Sequence, residues 1–210
     1  IAYQVENYVY MFVNKLTQAS NPQIAINYSS DNMSRVYEIV VKNSRLCILI
    51  MILFFFPLIS EIDFILELWL KNVPDGTVLF CVLTLMQGLV SSFSEGTNGF
   101  IQASGKLKWF LIANSILTLL NLPFGILLFK FGFEACWILI CFIVTSVISR
   151  FITLYLMHRI LNVEVLNYVR DAYLPPIRVI GVMTVMIYVY QTIPIDSIIC
   201  HIMGFMGMFV

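Results

Sequence analysis

Four ionisable side chains sit inside long hydrophobic stretches, where a chain this apolar should carry none: Glu6, Lys15, Glu95 and Arg150. Such a group at bilayer depth costs about 2.5–3.5 kcal/mol on insertion scales, so it marks a pathway or a paired site. Polar residues recur around them at helical intervals. Thr84, Gln87, Ser91, Glu95, Asn98 and Gln102 follow one another at steps of three or four, which places them on one helix face. Asn114, Thr118, Asn121 and Gly125 form a second row. Tyr3, Asn7, Tyr10, Asn14 and Thr17 form a third, and Ser146, Arg150 and Thr153 a fourth. Rows of this kind either hydrogen-bond to one another, each bond contributing about 0.6–2 kcal/mol, or line a wet cavity. Lys15 and Arg150 lie toward the basic ends of their stretches, where long side chains can snorkel to the interface. Glu95 is too short for that and reads as cavity-lining.

Bond-making chemistry finds little support. Gly99 to Leu107 (GFIQASGKL) approaches a phosphate-binding loop, but five residues separate its glycines where four are needed, and Leu107 stands where a hydroxyl should hold magnesium. Gly105-Lys106 reads instead as a tight turn. There is no HExxH, no GxSxG and no cluster of histidines with carboxylates. His158 reads as interfacial, and His201 stands alone. Cys47, Cys81, Cys136, Cys141 and Cys200 show no metal-ligand spacing and read as packing residues. The expectation is no enzyme, no metal and no cofactor.

The elements that must position these rows follow from composition. The chain is 60% hydrophobic and 11% charged, with mean hydropathy +0.91. Soluble domains carry roughly 25% charged residues, so the bilayer is the natural solvent and one partner. Zero net charge gives no reason to expect nucleic acid. Hydrophobic stretches at about 1–19, 39–60, 77–102, 108–129, 133–157, 176–193 and 197–210 are expected to be spanning helices, because backbone groups in lipid must pair internally. Residues 162–174 read as an interfacial amphipathic helix stopped by Pro175-Pro176. The short apolar run Phe64 to Leu70 is expected in the opposite interface, and Pro123 should kink its helix. The fold class is all-α, a polytopic transmembrane helical bundle. The chain opens at Ile1 and stops within an apolar run, so 1–210 is expected to be a single transmembrane region truncated at both ends.

Orientation follows from basic residues in the links. Arg35, Lys42, Arg45, Lys106, Lys108, Arg159, Arg170 and Arg178 alternate in side with only Lys71 and Lys130. Links 20–43, 103–108 and 158–175 are therefore expected in the cytoplasm of a multi-pass protein.

The order of local motifs then adds a family likeness. "NPQIAINYSSDN" closes the first stretch, "LELWLKNVPDGTVLF" forms a hairpin, and "NGFIQASGKLKWF" and "LLNLPFGILLFKFGFEA" follow. Over nearly the whole chain this resembles the C-terminal half of bacterial polysaccharide or O-antigen flippases of the Wzx type. These belong to the MOP (MATE-like) superfamily. The resemblance implies the C-terminal lobe of a flippase fold, helices eight to fourteen of fourteen, with the N-terminal half of the same protein as partner. It implies the bacterial inner membrane, alternating access, and transport of undecaprenyl-diphosphate-linked oligosaccharide repeat units for O-antigen, capsule or exopolysaccharide synthesis.

Substrate chemistry then assigns candidate roles. A diphosphate calls for cations, for which Arg150 and Lys15 are the candidates. Sugar hydroxyls call for neutral donors and acceptors, which Asn14, Asn98, Gln102, Asn114 and Asn121 supply. Glu95 is the candidate for proton or sodium coupling, or for pairing with a cation of the other lobe. A multidrug exporter of the same superfamily is the first alternative, and should show a carboxylate-rich cavity with few cations. A lipid II flippase should show several cavity arginines, where this chain offers one. A membrane glycosyltransferase or polymerase of the same pathway is the remaining alternative, disfavoured because no link exceeds about 25 residues.

Overall fold

The computed structural model describes residues 2–70 and 72–192. The expected 197–210 stretch, with Cys200 and His201, lies outside the described residues, as does Lys71. Within them the fold is all-helical, with no strand. The order is α1 (Ala2–Ser29), α2 (Met33–Ser60), α3 (Ile62–Leu70), α4 (Thr77–Ala103), α5 (Leu107–Lys130), α6 (Cys136–Leu161), α7 (Val165–Ala172) and α8 (Leu174–Thr192). Four of them are long and apolar enough to cross a membrane: α2, α4, α5 and α6 over Cys136–Arg159. Helix α1 equals α2 in length at 28 residues. With Glu6, Lys15 and several amides, however, it falls short of the apolarity of those four.

The bounds depart most from expectation at the first link. Helix α1 does not stop at residue 19 but runs through Pro22 to Ser29, and α2 starts at Met33, so the expected link 20–43 shrinks to residues 30–32. Proline inside a helix costs about 3 kcal/mol. Packing offsets it, because Ile24 is fully buried and the Tyr28 ring meets Phe100 edge-on at 6.1 Å. Asp31 turns the chain with a left-handed φ of 56°, and the Asn32 side chain caps α2 by accepting from the Arg35 backbone N–H at 3.3 Å.

Pro175-Pro176 also act differently than expected. They sit in the first turn of α8, where the missing N–H groups have no intrahelical partner to lose. The interfacial segment contracts to α7, preceded by Asn162 in the left-handed region at φ 53°. Gly105, at φ 67°, makes the turn between α4 and α5, and α5 continues through Pro123.

Helices α1, α2 and α4 pack pairwise along their lengths, α6 docks on α4, α5 leans on α6, and α8 and α7 cover α2. The tightest seam is between α2 and α4. A Cβ at Gly96 would fall 2.5 Å from the Ser44 backbone nitrogen, so only glycine allows this approach. Gly88 and Gly99 face Glu6 and Met51, and Asn21 and Ile24, at similarly close quarters. Ser92, fully buried, completes a face of small residues. In contrast, α5 buries only Phe110, Asn121 and Gly125. Leu119, Leu122, Phe124 and Phe129 are exposed along it, as suits a helix bordered by hydrocarbon.

Candidate functional site

Helix α4 is clamped to α1 and α2 by its small face, while α6 touches it on another side and α5 scarcely at all. The gap left between α4 and the α5–α6 hairpin is a cleft of about 420 Å³. Helix α4 gives it Ser91, Ser94, Glu95 and Asn98. Helix α5 gives Asn114, Thr118 and Asn121, and α6 gives Thr145, Ser146 and Ser149. Tyr10 of α1 closes one side. Past Tyr10, Gln87 and Ser91 the cleft continues into a hollow of about 750 Å³ walled by Tyr3, Glu6, Asn7 and Thr84. It therefore widens toward the first turns of α1, α4 and α6.

Hydrogen bonds hold the lining in place. The Glu95 carboxylate accepts from the Tyr10 hydroxyl at 2.6 Å and from Asn98 Nδ2 at 3.0 Å. Asn98 lies one turn along the same helix, so Glu95 is fixed by α1 from one side and by its own helix from the other. No cation stands within ion-pair distance of it among the described residues. Across the hairpin, Asn121 Oδ1 accepts from the Thr145 hydroxyl at 2.6 Å, and Asn114 Oδ1 from the Ser149 hydroxyl. These two pairs run antiparallel. They satisfy one acceptor on each amide and leave its NH₂ group as an available donor.

Arg150 lies elsewhere. It is 7% exposed and outside the cleft wall. Its guanidinium donates to Thr97 Oγ1 at 3.2 Å and to the Tyr173 hydroxyl, with its Cζ 5.2 Å from the centre of that ring. The Tyr173 hydroxyl in turn donates to the Phe93 carbonyl at 2.9 Å. Tyr168 shares a 2.7 Å hydrogen bond with Ser44, and burial pushes its phenol above the ordinary range, so it stays protonated. Arg150 thus ties α6 to α4 and to the α7–α8 junction. One Arg150 nitrogen, Nε, has no hydrogen-bond partner among the described residues.

The structure therefore brings together Glu95, Asn98, Asn114 and Asn121, and leaves the other candidates apart. Asn14, Lys15 and Gln102 are exposed beyond the cleft wall. Thr145, Ser149 and Ser94 belong to the wall but not to the rows read from the sequence. In α6 the sequence row is Ser146, Arg150 and Thr153, whereas the cleft face is Phe142, Thr145, Ser146 and Ser149. A signal existed, because hydroxyls spaced four apart on α6 match amides spaced seven apart on the helix it must hairpin with. Glu6 joins Glu95 as a second carboxylate in the continuous cleft, with no Lys or Arg in its described lining.

The MatE family model matches residues 1–127. This span contains α1 to α4 and most of α5, including Glu6, Tyr10, Glu95, Asn98, Asn114 and Asn121. No curated protein and no solved structure matches the chain.

Proposed function

The chain belongs to the MatE family of the MATE/MOP superfamily, whose members are transporters and not enzymes, and on that premise we propose that it moves lipid-linked oligosaccharides across a bacterial inner membrane. One observation carries this reading: the cleft is walled by neutral amides and hydroxyls from three helices, Ser91, Asn98, Asn114, Asn121, Thr145 and Ser149 among them. Such a wall exchanges hydrogen bonds with sugar hydroxyls at little desolvation cost. A purely lipophilic cargo would leave these groups unpaired, at about 1–3 kcal/mol each. Within this proposal Glu95, locked by Tyr10 and Asn98, is the coupling carboxylate for a proton or sodium ion. Cations for the diphosphate come from the N-terminal lobe, because neither Lys15 nor Arg150 lines the cleft. The chain then acts as the C-terminal lobe, with the substrate passing between the two halves.

A second reading rests on a specific feature of the same cleft. Glu6 and Glu95 give it two carboxylates, and neither Lys15 nor Arg150 lines it. That pattern favours export of an organic cation by the same rocking motion. The full-length protein in proteoliposomes decides between them. A fluorescent undecaprenyl-diphosphate oligosaccharide should cross, and the Asn98→Leu and Asn114→Leu variants should slow it about tenfold or more by removing paired groups. Transport of a lipophilic cation instead, abolished by Glu6→Gln and Glu95→Gln, would replace the flippase reading with the exporter one.

A further inference from the structure

A second cavity, of about 420 Å³, lies at the end of the bundle that carries the 30–32 and Gly105 turns, between α2, α4, α6 and α7. It is separate from the cleft. Phe100 of α4 lines it, and Phe100 is turned roughly 200° round the helix from Asn98. The Arg150–Thr97–Tyr173 network sits a helical turn away, on the buried side of α4.

Its chemistry is mixed in an ordered way. Val36, Val40 and Met157 give its lining apolar surface, and Tyr37, Phe100 and Tyr168 add three aromatic rings. Glu164 and Asp171 occupy the rim. The Tyr37 hydroxyl donates to Asp171 Oδ2 at 3.0 Å, and the Asn167 amide donates to Glu164. Neither carboxylate has an ion-pair partner among the described residues. Arg45 donates its Nε to the Asp171 backbone carbonyl at 2.5 Å, not to the carboxylate.

Aromatic rings, carboxylates without an ion-pair partner and apolar side chains in one lining together select one kind of guest, an ammonium group carrying an apolar chain. An anion would be repelled at the rim, and a neutral alkane would leave the carboxylates unused. We infer that this cavity is a binding site for an amphipathic ammonium compound, with the head between Asp171, Glu164 and the tyrosine rings and the chain along Val36, Val40 and Met157. The site stands apart from the transport cleft and does not depend on which cargo the cleft carries. The ammonium has two natural sources, a soluble alkylamine or the head of an aminophospholipid.

The test is calorimetric titration of the full-length protein in nanodiscs with octyltrimethylammonium, and with octyl sulfate as the anionic match. Saturable binding of the cation alone is expected. Asp171→Asn should weaken it about tenfold. Glu164→Lys should abolish it; Glu164 is exposed, so this change leaves the core intact. Displacement of the probe in nanodiscs rich in phosphatidylethanolamine, but not in phosphatidylglycerol, assigns the site to lipid; equal binding in both assigns it to a soluble amine. Equal binding of octyl sulfate overturns the inference. So does a signal that survives Glu164→Lys, or one lost in Glu95→Gln and retained in Asp171→Asn, which would place the amine in the cleft.

Discussion

Helix α4 has two faces without large apolar side chains, and they do opposite things. One carries Gly88, Ser92, Gly96 and Gly99 and is pressed against α1 and α2 until backbones touch. The other carries Gln87, Ser91, Glu95 and Asn98 and faces open space. On the first face small size is needed because a neighbour is present. On the second, polarity is tolerated because a neighbour is absent. The rigid seam fixes α4 so that its polar face is held at a defined distance from the α5–α6 hairpin.

The sharpest way to break this comparison is Gly96→Leu. The added side chain has no space beside the Ser44 backbone, so the variant should yield no monodisperse protein on size-exclusion chromatography, and even Gly96→Ala should cost about 3 kcal/mol. A normal thermal melt for Gly96→Ala would mean that the α2–α4 seam is looser than described. Next comes Arg150→Ala, which removes a buried guanidinium bonded to Thr97 and Tyr173. A loss of about 2–3 kcal/mol in stability is expected. Transport lost with an unchanged melt would instead make Arg150 a substrate contact.

On the open face the expected effects are functional. Glu95→Gln keeps the shape and the melt but should slow transport at least about tenfold, equivalent to ~1.4 kcal/mol. If the rate holds, the carboxylate has no coupling role. Asn121→Ala gives up the bond from Thr145 and should lower stability by about 1 kcal/mol, with hydrogen exchange rising along α5. Lys15→Ala should be the mildest, within about 0.5 kcal/mol in a melt, because Lys15 is exposed and outside the wall. Any strong transport defect there would restore it to the substrate path.

Much of this was legible from residue order. The row Gln87, Ser91, Glu95 and Asn98 follows from spacing alone, since a helix repeats every 3.6 residues. The row Asn114, Thr118 and Asn121 follows in the same way. Arg150 marks the limit of spacing. It neighbours Ser149 in sequence, yet one residue is a turn of about 100° round the helix, enough to move it from a cleft to a packed interface. The glycine face of α4 was equally present in the sequence but carried no polarity to draw notice. Hydropathy errs in the other direction: the apolar run of the first stretch ends near residue 19, yet packing of Ile24 carries the helix through Pro22 to Ser29.

The sequence by itself determined the medium, the helical class and the periodic placement of polar side chains, because solvation in lipid and the pitch of a helix act locally along the chain. Only the tertiary structure decided which polar row would border a cavity and which would be sealed. That depends on how closely helices distant in sequence approach one another, and at Gly96 it turns on whether a single Cβ is present.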